Sequence, residues 1–223
     1  MIVNGFDRNA RVGGNTTAAR MRPLYDHYRA TRRVIALALS LSSEFLARAA
    51  VATPAAFKSI SLVSPTGLAG KTPHRGAPGT TLAVPGAYPL LRGLGWGRYL
   101  YRALTLPKVI RYFLRRTWGR KDIDAWLWQY GVTTARQPGA EYAPLYFLSG
   151  ALFSADIDDL YERVGVPVWM SHGIRGDFTD YRQIALVQAR PNWRFSVFPT
   201  GALPHFEVPD RFCAEFDHLL ERR

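Results

Sequence analysis

An abrupt change from strand-like to helix-like sequence at Ser40 limits the possible folds of this chain more than any other feature. Residues 34–39 form an apolar run of strand character, and residues 41–50 have helical character, so almost nothing is left for a connection. The sequence therefore predicts that Ser40 lies on a very sharp strand-to-helix turn. Such a turn pushes the hydroxyl out of the sheet, toward the N-terminus of the next helix. Ser40 is a candidate nucleophile on this interpretation; a small residue at a tight turn is the alternative.

Strand-like and helix-like segments alternate along much of the chain, whose 223 residues are enough to bury one core. This alternation favours an α/β fold in which helices cover both faces of a parallel sheet. The expected strands are residues 34–39, 57–63, 166–170 and 194–198.

Helices are expected between and after these strands. In the helix that follows Ser40, Leu41, Phe45 and Ala49 fall on one apolar stripe because they are spaced four residues apart. A second helix is expected over residues 178–189. The face of the last helix is marked by Phe212, Phe216, Leu219 and Leu220.

Residues 68–155 interrupt the alternation. Glycine and proline crowd the beginning of this segment, and aromatic, basic helical segments follow. The segment is interpreted as a helical insertion between the two halves of the core, which are residues 34–67 and 156–223. Residues 1–33 show little hydrophobic periodicity and are expected to be irregular.

The net charge of +12 raises the question of nucleic-acid binding. The sequence contains no aromatic–basic motif of an RNA-binding sheet, no zinc finger and no basic zipper, so we expect no nucleic-acid partner. Residues 92–121 contain nine basic residues and no acidic one. A solvated basic face is the first interpretation of this run, and contact with a membrane surface or an anionic substrate is the second.

The single cysteine, Cys213, excludes an internal disulfide and a cysteine-based metal cluster. We expect it to pack in the last helix, and we expect no metal and no cofactor. No stretch approaches the roughly 20 apolar residues that span a bilayer, and residues 1–33 lack the apolar centre of a secretory signal. These features favour a cytoplasmic protein.

Three residues that suit nucleophilic catalysis follow predicted strands. Ser40, Asp177 and His205 each come just after a strand, and parallel sheets build their sites at the carboxyl ends of the strands. A serine hydroxyl becomes a nucleophile when an imidazole takes its proton, and a carboxylate orients that imidazole. Asp180 is an alternative to Asp177 as the acid, and His172 is expected to be structural.

Four segments carry a resemblance to the α/β-hydrolase family, in its serine-nucleophile, cap-bearing branch. They are Val-Ile-Ala-Leu-Ala-Leu-Ser-Leu-Ser, Ser-Ile-Ser-Leu-Val-Ser-Pro-Thr-Gly, Pro-Val-Trp-Met-Ser-His-Gly-Ile-Arg-Gly-Asp and Leu-Pro-His-Phe-Glu-Val-Pro-Asp-Arg-Phe. In the first segment both glycines of the usual Gly-x-Ser-x-Gly signature are replaced, by Ala38 and Ser42. The last two segments carry most of the resemblance.

The resemblance implies a Ser40–Asp177–His205 triad, with the backbone N–H of Leu41 as one oxyanion-hole donor. It also implies that residues 68–155 form a cap over the substrate pocket. The implied reaction is hydrolysis of a carboxylic ester or related acyl bond in a small, apolar substrate. Family members that act on haloalkanes or epoxides use aspartate at the position of Ser40, so those reactions are not expected.

The chain departs from the family before Ser40. Only 39 residues precede it, whereas family members carry several strands and the second oxyanion-hole donor there. We therefore expect the early strands to be absent, as in a truncated or mis-started product. An inactive hydrolase remnant is the alternative to an active enzyme, and an exposed sheet edge would favour self-association.

Overall fold

A four-stranded parallel sheet forms the centre of the molecule in a computed structural model that describes residues 33–92 and 96–221. The strands are adjacent in chain order. They are β1 (Val34–Leu39), β2 (Phe57–Val63), β3 (Val168–Gly173) and β4 (Trp193–Phe198). The predicted parallel sheet is confirmed, with β1 and β2 at the predicted bounds. The predicted absence of strands before β1 concerns residues 1–32, which lie outside the described residues.

The register brings the carboxyl ends of the strands to one edge of the sheet. Leu39 pairs with Val63, Val63 pairs with Ser171, and Ser171 pairs with Ser196. Strand β3 continues beyond Met170, where the sequence prediction ended it. The segments that follow β1, β3 and β4 carry the three candidate catalytic residues, so these segments begin at the same edge.

Helices account for most of the remaining described residues. Those of the core are α1 (Ser42–Ala52), α7 (Ile157–Arg163), α8 (Ala185–Gln188), α9 (Pro204–Glu207) and α10 (Pro209–Glu221). Those between β2 and α7 are α2 (Ala87–Arg92), α3 (Trp96–Leu104), α4 (Pro107–Trp118), α5 (Ala125–Thr134) and α6 (Tyr142–Leu148). Within the described residues, none is long and apolar enough to cross a membrane.

Each face of the sheet has its own apolar cluster, as a sheet covered on both sides requires. The larger one includes Ile60 and Leu62 of β2, together with residues of α1 and α7. The smaller one contains Trp169 of β3 and residues of β4 and α10. Strand β2 alternates large and small side chains, and Ser61 is the register partner of Trp169, which leaves room for the indole.

The buried stripe of α1 differs from the predicted one. Leu41, Phe45 and Ala49 are only half-buried, whereas the face that packs inward contains Ser43 and Ala47 at 0% exposure. The turn at Ser40 sets the rotation of the helix, because the N–H of Ser43 donates to the carbonyl of Ser40 at 2.9 Å. Small residues on the inner face allow the helix to approach the sheet closely.

Two further predictions were wrong. Residues 178–189 contain only the short helix α8, because Phe178 has a φ of 63° and the hydroxyl of Thr179 donates to the carbonyl of Gly176 in a turn. Cys213 is exposed rather than packed. Helix α10 turns Phe212 toward the sheet, and the next residue therefore points away.

The helical segment between β2 and α7 leaves and rejoins the core at neighbouring points. Thr81 and Ser154 form an antiparallel bridge, and the N–H of Ala155 donates to the carbonyl of Thr80 at 3.0 Å. The ends of the segment are thereby tied together beside the sheet. That residues 68–155 act as a cap stays a prediction.

Candidate active site

Ser40 occupies the predicted sharp turn between β1 and α1. Its φ is 53°, a left-handed conformation that is unusual for a residue with a side chain. The backbone is held there by its N–H, which donates to the carbonyl of Val63 at 2.9 Å. Leu41 follows directly as the residue that precedes α1, so its N–H belongs to the first turn of the helix.

A cavity of about 210 Å³ opens beside Ser40. Its lining is mainly apolar, with a few polar side chains. It is formed by Ser40, Glu44, Ser64, Pro65, Thr66, Gly67, Ala69, His74, Leu82, Phe153, Ser154, Ile157, Phe178, Asp180 and Tyr181. Two further non-glycine residues with positive φ, Ser64 and Phe178, are in this set. Strained backbone therefore concentrates around the cavity, as it does at functional sites.

Glu44 is a buried carboxylic acid in this cavity that the sequence analysis missed. It is 1% exposed, and burial raises the pKa of its carboxyl group. The hydroxyl of Thr66 donates to one oxygen at 2.5 Å, and the N–H of Ser154 donates to the other at 2.7 Å. Its position four residues after Ser40, on a face of small side chains, is the signal that could have revealed it.

Asp177 follows β3 as predicted, but its carboxylate is engaged by α4. The Nε of Arg116 donates to Oδ2 at 2.5 Å and Nη2 donates to Oδ1 at 3.0 Å. The backbone N–H of Asp177 also donates to the carbonyl of Arg116 at 2.8 Å. Both side chains are partly exposed, at 38% for the aspartate and 50% for the arginine.

His205 lies in α9, after β4. Burial lowers the pKa of its imidazole, which favours the neutral ring. The ring packs against Phe206 and Phe212. Its Nδ1 is buried and has no hydrogen-bond partner among the described residues.

The structure joins the loops that carry the acid and the base. The N–H groups of Ile174 and Arg175, after β3, donate to the carbonyl of Thr200, after β4, at 2.9 and 3.0 Å. A Cβ on Gly173 would lie 1.9 Å from the carbonyl oxygen of Gly201, so this approach requires glycine. Within residues 33–92 and 96–221, however, no hydrogen bond links Ser40, Asp177 and His205 to one another.

Glu207 connects the same two loops through its side chain. Its carboxylate is 2% exposed and accepts from Nη2 of Arg175 at 2.5 Å and from the N–H of Gly201 at 2.6 Å. Arg175 is two residues before Asp177, and Glu207 is two residues after His205. The sequence analysis missed this pair, because nothing in the spacing relates residues 32 apart.

The two alternative candidates occupy different environments. His172 is buried, packs against Tyr181 and has Nδ1 at 2.8 Å from the carbonyl of Gly173, which are the contacts of a structural residue. Asp180 lines the cavity of Ser40, accepts from the N–H of Gly70 at 3.4 Å and pairs with Arg182 at 3.2 Å. In the described part of the chain, no group of three His, Cys, Asp or Glu side chains could hold a metal ion.

Comparisons with known proteins support the fold. No protein-family model matches the chain, and no curated protein matches it. Solved structures do resemble it, including a serine hydrolase involved in carbazole degradation, with a TM-score of 0.67 and 13% identity over 98% of this chain and 76% of that one. A probable hydrolytic enzyme from Pseudomonas aeruginosa PAO1 has a TM-score of 0.65 and 17% identity over 96% of this chain and 70% of that one.

A carboxylesterase from Bacillus subtilis is similar at a TM-score of 0.61 and 15% identity, over 97% of this chain and 70% of that one. The likeness covers nearly all of this chain in each case. At these identities, and with TM-scores of 0.61 to 0.67, it establishes a shared fold.

Proposed function

We propose that this chain, which has the α/β-hydrolase fold, hydrolyses a carboxylic ester or related acyl bond with Ser40 as the nucleophile. The observation that carries the proposal is the backbone of Ser40. A φ of 53° at a strand-to-helix turn, beside a cavity, is the conformation of a nucleophile elbow. The resemblance of the fold to solved hydrolases and esterases supports the same reaction class.

His205 acts as the general base in this proposal. Partial burial lowers the pKa of its imidazole and so favours the neutral form, which can accept the proton of the Ser40 hydroxyl. The hydroxyl oxygen attacks the acyl carbon, the protonated base returns the proton to the leaving group, and water then releases the acid from the acyl-enzyme.

Leu41 supplies an oxyanion-hole donor, and Asp177 is the acid. The N–H of Leu41 lies at the start of α1, where backbone donors and the helix dipole favour a developing negative charge. Asp177 would orient the imidazole of His205 through Nδ1, although its carboxylate is bonded to Arg116 in the structure.

The cavity favours a small, uncharged acyl group. Its volume of about 210 Å³ is modest, and apolar side chains such as Leu82, Phe153 and Ile157 dominate its lining. Glu44 and Asp180 also line it, and the described lining residues include no lysine or arginine that could pair with an anionic acyl group. Small uncharged esters are therefore the expected substrates.

Labelling with a fluorophosphonate probe tests the proposal. We expect the purified chain to be labelled covalently and the Ser40→Ala variant to lose all labelling, because the probe reacts with an activated serine hydroxyl. Ser42→Ala is the matched control, since Ser42 is an exposed serine in the same turn and its loss should leave labelling intact. Labelling that survives in Ser40→Ala, or none at all in a folded, monodisperse wild-type sample, contradicts the proposal.

A further inference from the structure

We propose that Arg116 is a positioning residue that holds the Asp177 carboxylate away from Nδ1 of His205. The hydrogen bond between Asp177 and His205 then forms only when the ion pair between Arg116 and Asp177 breaks. This inference rests on the proposed function. It assigns a regulatory contact to α4, in the helical segment between β2 and α7, for which neither the fold nor the comparisons give a role.

The acceptor sites of Asp177 that a histidine would use are already taken. Arg116 donates to both carboxylate oxygens in the bidentate geometry that fixes the orientation of a guanidinium and a carboxylate. The guanidinium is itself held by Tyr112, one turn earlier in α4, whose hydroxyl oxygen accepts from Nη1 at 3.0 Å. Arg116 is thus oriented toward Asp177 by a second contact of its own helix.

His205, which would accept Asp177 as its hydrogen-bond partner in a triad, has no partner for its Nδ1 among the described residues. Nδ1 of His205 is buried and makes no hydrogen bond with any described residue. A buried polar atom without a partner costs free energy, so such atoms are rare in native structures and need a specific explanation. A carboxylate that is displaced onto a neighbouring arginine supplies that explanation.

Backbone hydrogen bonds attach the loop of Asp177 and the loop before His205 to the C-terminal end of α4. The carbonyl of Arg116 accepts from the N–H of Asp177 at 2.8 Å, and the carbonyl of Thr117 accepts from the N–H of Ala202 at 3.0 Å. The end of α4 therefore contacts the loop of the acid and the loop of the base at consecutive residues. Because these bonds involve backbone atoms, the Arg116 side chain can turn away without moving either loop.

The glycines at this junction confirm how tightly the helix end is fitted. A Cβ on Gly176 would lie 2.2 Å from the carbonyl oxygen of Arg116, and one on Gly119 would lie 2.4 Å from the nitrogen of Gly176. The helix end has no room to shift along the loop. Release of Asp177 is thus a side-chain rotation of an arginine that is half exposed.

The size of the expected effect follows from that exposure. Solvent-exposed ion pairs contribute little, so freeing Asp177 should raise the rate of acyl transfer by about two- to fivefold. Arg116 is outside the set of residues that line the cavity of Ser40, so KM should not change. Salt screens exposed charges, so added NaCl should raise kcat of the wild type and leave an Arg116 variant unaffected.

The experiment compares Arg116→Gln with Arg115→Gln, which removes a neighbouring exposed arginine whose Nε donates to the carbonyl of Lys121. Hydrolysis of 4-nitrophenyl butyrate gives kcat and KM, and proton NMR of the imidazole N–H region reports a hydrogen bond between Nδ1 of His205 and a carboxylate.

We expect higher kcat, unchanged KM and a new downfield N–H signal in Arg116→Gln alone. Asp177→Asn in the Arg116→Gln background should remove that signal. Tyr112→Phe, which loosens Arg116 and keeps it, should change kcat in the same direction by less.

The outcomes separate this inference from the proposed function. Equal or lower kcat in Arg116→Gln than in Arg115→Gln, without a new N–H signal, overturns the role of Arg116 while the enzyme stands. If no folded variant hydrolyses the ester or reacts with a fluorophosphonate, the proposed function fails. In that case the NMR signal alone decides: its appearance in Arg116→Gln supports the withheld pairing, and its absence overturns it.

Discussion

Individual residues around the Ser40 cavity adopt conformations that an unconstrained chain avoids. Ser40, Ser64 and Phe178 have positive φ, at a cost on the order of 1–3 kcal/mol each, and all three line the cavity. Surrounding contacts keep them there: the N–H of Ser64 donates to the carbonyl of Ser171 at 2.7 Å, as that of Ser40 does to Val63. The rest of the core thus maintains a shape that the site needs.

Glu44 offers a prediction about stability at this scale. Replacing it with alanine leaves the N–H of Ser154 and the hydroxyl of Thr66 without their acceptor in a buried place. We expect Glu44→Ala to lower the free energy of unfolding by about 1–3 kcal/mol, measured by urea denaturation. Asp217→Ala, which removes an exposed carboxylate from α10, should change it by less than about 0.5 kcal/mol. Equal effects in the two variants would show that Glu44 holds nothing in place.

At the scale of elements, the end of α4 is held between two loops of the sheet edge. The carbonyl oxygens of Thr117 and Trp118 lie close to Gly201. The carbonyl oxygen of Arg116 accepts a hydrogen bond from the N–H of Asp177. Trp118 is 2% exposed and packs near Phe206, which anchors the helix there. The position of α4 and the positions of the acid and the base are therefore set together.

Gly201 tests this junction. A Cβ there would lie 2.4 Å from the carbonyl oxygen of Thr117 and 2.5 Å from that of Trp118, and backbone atoms cannot give way cheaply. Gly201→Ala should lower the unfolding free energy by about 1–3 kcal/mol in chemical denaturation. Gly165→Ala is the matched control, because a Cβ at Gly165 meets nothing within 4 Å. A Gly201→Ala variant as stable as this control would mean that the helix end is not closely docked.

Element boundaries were predictable where apolar runs are short and end abruptly. Val34–Leu39 and Phe57–Val63 match their predicted ranges because the sharp turn at Ser40 and the turn residues 64–67, Ser-Pro-Thr-Gly, end them. Strand β3 extends past its prediction because it pairs with β4 as far as Gly173, a pairing that the local sequence does not contain. The helix expected over residues 178–189 mostly failed to form, since side-chain contacts of the turn compete with helix hydrogen bonds.

At the scale of the whole molecule, the buried imidazole of His172 and the partly buried imidazole of His205 link folding to protonation. Burial lowers the pKa of both His172 and His205. The unfolded chain then binds more protons than the native one between the lowered native pKa values and the ordinary value of about 6.5. Stability therefore increases as pH rises through this interval, and it is lost as pH falls through it.

We predict that His172 and His205 make the free energy of unfolding depend on pH. Between pH 5 and 7 the free energy of unfolding of the wild type should rise more steeply than that of a His172→Gln/His205→Gln variant, by at most about 1.4 kcal/mol per pH unit for each histidine. Urea denaturation at several pH values measures the difference. His218→Gln, which removes an exposed imidazole, is the control. Parallel slopes in the wild type and the double variant would contradict the assignment.

The order of apolar runs and turn residues along the chain was enough to predict a parallel sheet and a serine on a sharp turn at its edge. It also predicted that Asp177 and His205 follow strands of that sheet. These features depend on local pattern and on the geometry of parallel strands. The sequence pattern could not predict which side chains contact one another across elements. The inner face of α1, the burial of Glu44, the link between Arg175 and Glu207, and the capture of Asp177 by Arg116 all join residues of separate elements. Such contacts depend on packing and charge in three dimensions, because they join residues that are far apart in the sequence. The sequence alone therefore did not determine that Arg116 is the partner of Asp177.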